Sequence, residues 1–332
     1  MRIAINGFGR IGRVFLRNIL ERPGISVVAV NDLAGNETLA HLFKYDSVHR
    51  GFKGEVTSGS GSLYINNRKI KILSEPNPAL MPWRELDIDI VIESTGKFTS
   101  KQGASLHLQA GAKQVIISAP SPDKNIPTIV YGVNDHLVDV RSPILSNASC
   151  TTNNVAIMVK ILDDNWGIID GYITTVHSMT TDQNLHDAPH KDLRRARAAS
   201  ASIIPTTTGA AKAITSIFPA LEGRLGGAGI RVPVLNGSLT DFTCSLKTLP
   251  TVESINRAFK DAALGEMKTV LEYTEDPIVS TDILDNTHSC IFDSKLTSVV
   301  GRLVKVVGWY DNEMGYSSRL ADLVEEIRDK TK

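Results

Sequence analysis

Cysteine is scarce in this sequence, and its few thiols argue against a disulfide framework. The 332 residues contain three cysteines, Cys150, Cys244 and Cys290. An odd and sparse number is typical of a chain that folds in a reducing compartment. We therefore expect a cytoplasmic protein with free thiols. The metal-ligand spacings CxxC and HExxH are also missing, so we expect no metal site.

Long apolar runs and an excess of charge of one sign are lacking as well. No uninterrupted hydrophobic stretch reaches the length of a membrane span, and residues 1–12 have no signal-peptide pattern. Lysine plus arginine number 36, and aspartate plus glutamate number 36. This balance gives no electrostatic reason to expect a nucleic acid or a membrane surface as the main partner.

The hydrophobic pattern changes near residue 149 and predicts two domains. Before that point, short apolar runs alternate with helical patterns, which predicts an α/β domain with a Rossmann-type, doubly wound parallel sheet. The later part predicts an α+β domain with a mostly antiparallel or mixed sheet. We expect domains at residues 1–149 and 150–314, followed by an amphipathic helix at about residues 315–332. Predicted first-domain strands are at 3–6, 27–30, 88–93, 115–118 and 128–133.

A glycine-rich turn near the N-terminus predicts a dinucleotide site. Gly7, Gly9 and Gly12 form a GxGxxG pattern between a predicted strand and a predicted helix. In such turns the glycines allow a tight bend, a close backbone approach to pyrophosphate, and helix packing on the strand. Asp32 ends the next strand, twenty positions after Gly12. A carboxylate there binds an adenosine ribose and repels a 2′-phosphate, which favours NAD. The alternative is a glycine turn made only for packing.

Cys150 is the candidate nucleophile. It lies among small polar residues, and a helical pattern starts directly after it. A helix N-terminus stabilises a thiolate. His177 follows a predicted strand 27 positions later, where a parallel return of the chain would bring imidazole to thiol and form an ion pair near neutral pH. From the residues alone, a buried structural cysteine and a structural histidine remain alternatives.

Groups that bind anions are dense after His177. They include Thr180, Asp182, Arg195, Arg231 and the run 206–209, which precedes a predicted helix. Hydroxyls, guanidinium forks and helix N-termini are the groups that hold phosphate. A helix cap for the threonines and a solvated face for the arginines are the alternatives.

Five motifs, taken together, resemble phosphorylating glyceraldehyde-3-phosphate dehydrogenase over essentially the whole chain. They are INGFGRIGR (5–13), ESTG (93–96), SNASCTTN (146–153), IIPTTTGAAKA (203–213) and WYDNEMGYSSR (309–319). The resemblance implies oxidative phosphorylation of D-glyceraldehyde 3-phosphate to 1,3-bisphosphoglycerate with NAD, through a hemithioacetal and a thioester on Cys150. It also implies a homotetramer, in which the loop 187–197 packs against a neighbouring subunit, and a C-terminal helix that returns to the first domain.

The resemblance further implies a role for each site residue. His177 is the base. The substrate phosphate is held by Thr180, Asp182 and Arg231. Inorganic phosphate is held by Ser149, Thr151, Thr208 and Gly209, with Arg195 nearby. Besides the glycines, NAD is contacted by Arg10, Ile11, Asp32, Thr95, Ser118, Asn312 and Tyr316, of which Asn312 binds the carboxamide and Tyr316 backs the ring.

Two departures and two rival functions accompany the resemblance. Asn154 stands where many members have a second cysteine, outside the chemistry. Ala188 is typical of members that also use NADP, whereas Asp32 and Leu33 favour NAD. Erythrose-4-phosphate dehydrogenase, which hydrolyses its thioester, is one alternative, and the run 206–209 favours the phosphorylating enzyme over it. An NAD-binding scaffold without catalysis is the other, and it predicts loss of Cys150 or His177, both of which are present.

Overall fold

The computed structural model describes residues 1–331 and divides the chain into two compact units. The first unit holds residues 1–129, 136–148 and the chain from Ser317 onward. The second holds residues 130–135 and 149–316. Within residues 1–331, no helix combines the length and the apolar character that a membrane crossing needs.

The first unit is built on one eight-stranded sheet. Its strands are β1 (Arg2–Asn6), β2 (Ser26–Asn31), β3 (Val56–Gly59), β4 (Ser62–Ile65), β5 (Arg68–Leu73), β6 (Ile90–Glu93), β7 (Gln114–Ile117) and β8 (Ile144–Ser146). Its helices are α1 (Arg10–Ile19), α2 (Asn36–Lys44) and α3 (Lys101–Gln109). The strand order is β3-β4-β5-β2-β1-β6-β7-β8.

Six of these strands are parallel, which confirms the predicted doubly wound sheet. The parallel set runs from β5 to β8, and β3 and β4 add an antiparallel hairpin at one edge. Both faces of the central strands are covered, so they are continuous apolar runs; Ile3, Ala4 and Ile5 are fully buried. Because β1 pairs with β2 on one side and β6 on the other, the chain leaves β1 at the switch point where such sheets bind ligands.

The predicted strand at 128–133 is wrong. Thr128 makes only an isolated bridge, and the chain then turns with Gly132 at φ 82°. The Asn134 side chain accepts the N–H of Val130 at 2.7 Å, and Asp135 accepts the N–H of Gly132 at 2.8 Å. These side chains take the backbone donors that a strand ladder would need.

The second unit contains a mixed sheet, as predicted. Its helices are α4 (Cys150–Trp166), α5 (Ala210–Ile217) and α6 (Val252–Leu264), and its strands are β9 (Ile168–Ser178), β10 (Ile204–Thr206), β11 (Leu225–Val232), β12 (Ser238–Leu246), β13 (Leu271–Thr274), β14 (Cys290–Asp293), β15 (Ser298–Val300) and β16 (Leu303–Tyr310). β9 pairs parallel with β11 and antiparallel with β12, which pairs antiparallel with β16. Alternate residues of β12 are buried because α4 covers one face of this sheet.

The last helix, α7 (Met314–Thr331), begins in the second unit, and from Ser317 onward it belongs to the first. Its apolar stripe of Leu320, Leu323, Val324 and Ile327 is buried. On its other face Asp322 and Glu325 form ion pairs with Arg22, which follows α1.

Candidate active site and cofactor-binding residues

The predicted cofactor residues of the first unit gather at one edge of its sheet. Gly7, Asp32 and Ser118 directly follow β1, β2 and β7, and Thr95 follows β6 by two positions. The carboxyl ends of parallel strands lie at the same edge, where open α/β sheets bind their ligands. The structure therefore brings together four residues that the sequence pattern or the resemblance assigned to the cofactor.

The three glycines differ in what requires them. Gly7 has φ 94°, and a Cβ there would lie 2.7 Å from the Thr95 nitrogen. A Cβ on Gly12 would lie 2.3 Å from the Gly7 carbonyl oxygen, whereas one on Gly9 would meet nothing within 4 Å. Gly9 also caps α1 without a side-chain bond. Two glycines thus serve packing, and the third leaves open space at a helix N-terminus, which fits the pyrophosphate of a dinucleotide.

Backbone bonds fix the Asp32 carboxylate. One oxygen accepts the N–H of Phe8 at 2.8 Å, and the other accepts the N–H of Ala34 at 3.0 Å. A carboxylate oxygen has two lone pairs, so each keeps capacity for a ribose hydroxyl. The Arg10 guanidinium, by contrast, forms two hydrogen bonds to the Asp46 carboxylate, at 2.5 and 3.0 Å. The group of Arg10 that remains for a cofactor contact is therefore its backbone N–H. Ile11 follows it in the first turn of α1.

A buried polar network beneath this edge was missed from the sequence. Trp83 Nε1 donates to His107 Nδ1 at 3.0 Å, so the imidazole proton is on Nε2, which lies 3.0 Å from Glu93 Oε2. The other Glu93 oxygen accepts the Thr95 N–H at 2.8 Å, while Asn6 Nδ2 donates to Oε2 at 2.6 Å. The signal in the sequence is a glutamate that ends an otherwise apolar strand. The network holds the turn that carries Thr95.

Cys150 opens α4 in the second unit. The Ser149 side chain caps this helix by accepting the Thr152 N–H at 3.1 Å. The Cys150 side chain is half-buried. Burial raises the pKa of its thiol, whereas the Arg231 guanidinium and the Thr151 N–H lower it. Burial outweighs these groups, so the pKa stays above its ordinary value, and the free N–H groups of the helix start offset part of that rise.

His177 meets Cys150 because β9 ends beside the start of α4. His177 Nε2 lies 3.4 Å from Cys150 Sγ. The parallel register of β9 and β11 places Arg231 opposite His177, and Arg231 Nη1 lies 2.6 Å from His177 Nδ1 and 2.9 Å from the Ser178 carbonyl oxygen. The predicted proximity of thiol and imidazole is thus present, with a guanidinium on the far side of the ring.

Cys150 and His177 do not form the predicted ion pair in this structure. Burial and the neighbouring Arg231 guanidinium lower the pKa of His177 to about 3, so its imidazole is neutral at pH 7. A guanidinium only donates, so its contact with Nδ1 favours the imidazole proton on Nε2, facing Sγ, whereas the Ser178 carbonyl oxygen, 2.8 Å from Nδ1, favours the proton on Nδ1. A neutral imidazole can hydrogen-bond a thiolate without being charged itself.

The candidate anion-binding side chains form a connected cluster. Arg195 donates two hydrogen bonds, from Nη1 to an Asp182 carboxylate oxygen at 2.5 Å and from Nε to Thr206 Oγ1 at 2.9 Å. The Thr180 hydroxyl donates to the other carboxylate oxygen of Asp182. Despite partial burial, the Thr180 hydroxyl and the guanidinium groups of Arg231 and Arg195 lower the pKa of Asp182. Thr206, which was not assigned a role, is therefore part of the cluster. Asp192 also faces Arg195, with its Oδ2 3.7 Å from Arg195 Nε, so the cluster holds two guanidinium groups and two carboxylates.

The residues assigned to inorganic phosphate already have partners within the protein. Ser149 Oγ lies 2.8 Å from Thr152 Oγ1, and Thr151 Oγ1 lies 2.9 Å from the Tyr310 hydroxyl. Thr208 Oγ1 accepts the N–H of Ala210, and Gly209 caps α5 without a side-chain bond.

The remaining assigned residues, Asn312 and Tyr316, lie beyond the end of β16, and both are buried. Ser178 and Ser238 hydroxyls donate to the Asn312 amide oxygen.

His186 and His190 have the HxxxH spacing that, on a helix, places two metal ligands on one face. They lie in an irregular loop, where this spacing does not bring the two imidazoles to one face.

Comparison with known proteins decides the family. Glyceraldehyde-3-phosphate dehydrogenase 2 of Streptomyces avermitilis is 53% identical over 326 residues, which are 97% of each chain. The chain belongs to the glyceraldehyde-3-phosphate dehydrogenase family. Glyceraldehyde-3-phosphate dehydrogenase 2 of Bacillus subtilis is 51% identical over 334 residues, 100% of this chain and 98% of the relative. Glyceraldehyde-3-phosphate dehydrogenase of Mycobacterium avium is 53% identical over 331 residues, 98% of this chain and 97% of the relative.

Each of the two family domains falls within one of the two units: the first match covers β1 to β6, and the second covers the chain from the start of α4 to the end of β16. Residues 1–101 match the glyceraldehyde 3-phosphate dehydrogenase NAD binding domain, and residues 149–312 match the C-terminal domain of the same family. The family membership predicted from five motifs is confirmed. As a member of this family the chain is an NAD-dependent oxidoreductase.

Proposed function

We propose that the chain catalyses the oxidative phosphorylation of D-glyceraldehyde 3-phosphate to 1,3-bisphosphoglycerate with NAD, and that Cys150 carries the acyl group. The contact between Cys150 Sγ and His177 Nε2, 3.4 Å apart at a helix start, supports this proposal most directly. The arginine cluster beside it suits a substrate that carries a phosphate. The relatives from Streptomyces avermitilis and Bacillus subtilis, both glyceraldehyde-3-phosphate dehydrogenases, support the same reaction.

The chemistry of Cys150 proceeds through two covalent intermediates. The thiolate attacks the aldehyde carbon, the C=O π bond opens, and the oxygen takes up the proton that the thiol had released, which makes a hemithioacetal. His177 takes the hydroxyl proton as the C–H bond breaks, and bound NAD supplies the hydride acceptor. The product is a thioester on Cys150. An oxygen of inorganic phosphate then attacks the thioester carbon, and the Cys150 thiolate leaves. The Cys150 N–H and His177 stabilise charge on the reacting oxygen.

The base role of His177 requires Arg231 to change partner. While Arg231 donates to Nδ1, the imidazole proton is on Nε2 and the ring cannot accept a proton from a substrate there. A substrate phosphate draws the guanidinium to itself. Nδ1 can then donate to the Ser178 carbonyl oxygen, which lies 2.8 Å away, and Nε2 becomes the proton acceptor.

We expect Arg231→Ala to lower kcat/KM for glyceraldehyde 3-phosphate on the order of 10²-fold, with a smaller effect on unphosphorylated glyceraldehyde. Loss of charge-assisted bonds to a phosphate explains the difference. Steady-state kinetics with both aldehydes measure it. Arg194→Ala, an exposed arginine in the neighbouring loop, is the control for loss of charge alone. Equal losses on both aldehydes would remove Arg231 from the phosphate site.

The function as a whole is tested by NADH formation from glyceraldehyde 3-phosphate with and without phosphate. We expect strong dependence on phosphate and its replacement by arsenate. A steady rate without either anion would favour a hydrolytic enzyme such as erythrose-4-phosphate dehydrogenase. Absence of turnover in a chain that still binds NAD would favour a scaffold.

We propose that Asp32 sets the preference for NAD. Its carboxylate would repel a 2′-phosphate, and the exposed Leu33 provides no group to hold one. We expect a clear preference for NAD in the wild type. Asp32→Gly should narrow the ratio of kcat/KM values for NAD and NADP, mainly by weakening NAD. Glu37→Gln, on the exposed face of α2, controls for charge. A ratio that stays constant in Asp32→Gly would exclude Asp32 as the selectivity residue.

We also propose that the protein is a cytoplasmic homotetramer. Leu185, Leu193 and Ile203 are 71%, 81% and 70% exposed within and beside the loop 187–197 that the resemblance places at a subunit contact. Exposed large apolar side chains close together mark an interface. Light scattering on the purified protein should give four times the chain mass, and a monomer mass would contradict the proposal.

A further inference from the structure

The Asn312 side chain lies where three strands of the second unit end. Ser178 is the last residue of β9, Ser238 is the first residue of β12, and Asn312 follows β16 by two positions. The antiparallel registers place Ser238 opposite Tyr310 and Leu239 opposite Val176. Two hydroxyls therefore meet the Asn312 amide although the three residues are far apart in sequence.

Both hydroxyls point their protons at the same atom. Ser178 Oγ donates to Asn312 Oδ1 at 2.8 Å, and Ser238 Oγ donates to it at 2.9 Å. Ser238 Oγ also accepts the Ser178 N–H at 3.1 Å. Ser178 is 0% exposed, Ser238 1% and Asn312 5%, so water cannot replace these bonds.

This arrangement selects one orientation of the amide. If the amide turned by half a revolution, Nδ2 would face the serines and both hydroxyl protons would lose their acceptor. Within residues 1–331 neither hydroxyl has another acceptor, and buried donors without a partner are costly. Nδ2 has no protein partner in the same part of the chain, so it is the group offered to a ligand.

The backbone around the amide is held as firmly as its side chain. The Asp311 carboxylate is fully buried and accepts the N–H groups of Glu313 at 2.9 Å and Met314 at 2.7 Å. The same oxygen accepts a bond from Asn236 Nδ2 at 2.8 Å. These bonds fix the turn from β16 into α7. Asn312 is consequently preorganised in both position and orientation.

We propose that Ser178 and Ser238 are positioning residues that hold the Asn312 amide with its N–H group outward, so that the carboxamide of nicotinamide is recognised through its carbonyl oxygen. This inference rests on the proposed function and, within it, on the contact between Asn312 and the nicotinamide carboxamide that the family resemblance implies. It goes further because it identifies the carboxamide atom that Asn312 binds and the two serines that orient the Asn312 amide for that contact. The NH₂ of the carboxamide is not required by Asn312.

A pair of cofactors separates the two amide orientations. 3-Acetylpyridine adenine dinucleotide keeps the carbonyl of NAD and replaces its NH₂ with a methyl group. Titration calorimetry gives the Kd of each for the wild type and for Ser178→Ala/Ser238→Ala. We expect the ratio of the analogue Kd to the NAD Kd to rise roughly tenfold in the double variant, because a turned amide presents an oxygen that binds the NH₂ of NAD and repels the ketone.

Two controls keep the outcome interpretable. Thr240→Val removes a buried hydroxyl from β12 that bonds nothing in the described part of the chain, and it should leave the ratio unchanged. Ser178→Ala and Ser238→Ala separately each leave one donor, and smaller shifts in the same direction are expected if the double variant does not fold. A constant ratio, with both affinities lowered alike, would overturn the proposal. Failure of wild-type NAD binding or of phosphate-dependent NADH formation would instead contradict the proposed function.

Discussion

Cys150→Ser is expected to reduce NADH formation on the order of 10³-fold or more while leaving NAD binding close to the wild-type value. A serine hydroxyl is far less acidic than a thiol, so the helix start and the His177 imidazole cannot make it a nucleophile near neutral pH. No hemithioacetal then forms, and hydride transfer has no donor. Initial rates give the loss of activity, and titration calorimetry gives the NAD affinity.

Cys244→Ser is the matched control for the loss of a thiol. Cys244 is buried in β12, where burial raises the pKa of its thiol to about 12. This thiol is inert, so its replacement should change activity only as far as it changes folding. More than a few per cent of wild-type activity in Cys150→Ser would contradict the covalent mechanism.

His177→Asn is expected to slow hydride transfer by ~10²–10⁴-fold, the usual contribution of a positioned base. Asparagine keeps a polar amide near the position of Nδ1 but places no group at the position of Nε2, so it cannot take the hydroxyl proton of the hemithioacetal. Pre-steady-state formation of NADH measures the step directly. His41→Asn, on the exposed face of α2, is the control for a histidine outside the site.

His177→Asn should also shift the pH dependence of the alkylation rate at Cys150 to higher pH. In the structure Nε2 of a neutral imidazole faces Sγ at 3.4 Å, and in the tautomer that the Arg231 contact favours its N–H stabilises the thiolate. Removing that donor raises the pKa of the thiol, so reaction with iodoacetamide begins at higher pH. If the pH profile of alkylation were the same in both proteins, the contact between His177 and Cys150 would have no influence on the thiol.

Local patterns were sufficient for most of the fold and for the cofactor edge. Strands β1, β2 and β7 begin and end within one residue of their predicted bounds, because periodicity and flanking turn residues act over a few positions. The glycine turn and Asp32 were predicted because each follows a parallel strand, and the ends of parallel strands share one edge. The strand at 128–133 failed because Asn134 and Asp135 capture backbone donors, an effect that apolar periodicity does not register.

By itself the sequence determined the two kinds of sheet, the dinucleotide turn, the candidate thiol at a helix start and, through its motifs, the family. Only the tertiary structure decided which side chains set the state of that site. Arg231 reaches His177 across 54 positions through the parallel register of β9 and β11, and Ser178 reaches Asn312 across 134. It also gave the residue, Ser317, from which α7 belongs to the first unit. Proton positions and amide orientations depend on such distant partners, since a hydrogen bond is made only where folding brings donor and acceptor within about 3 Å.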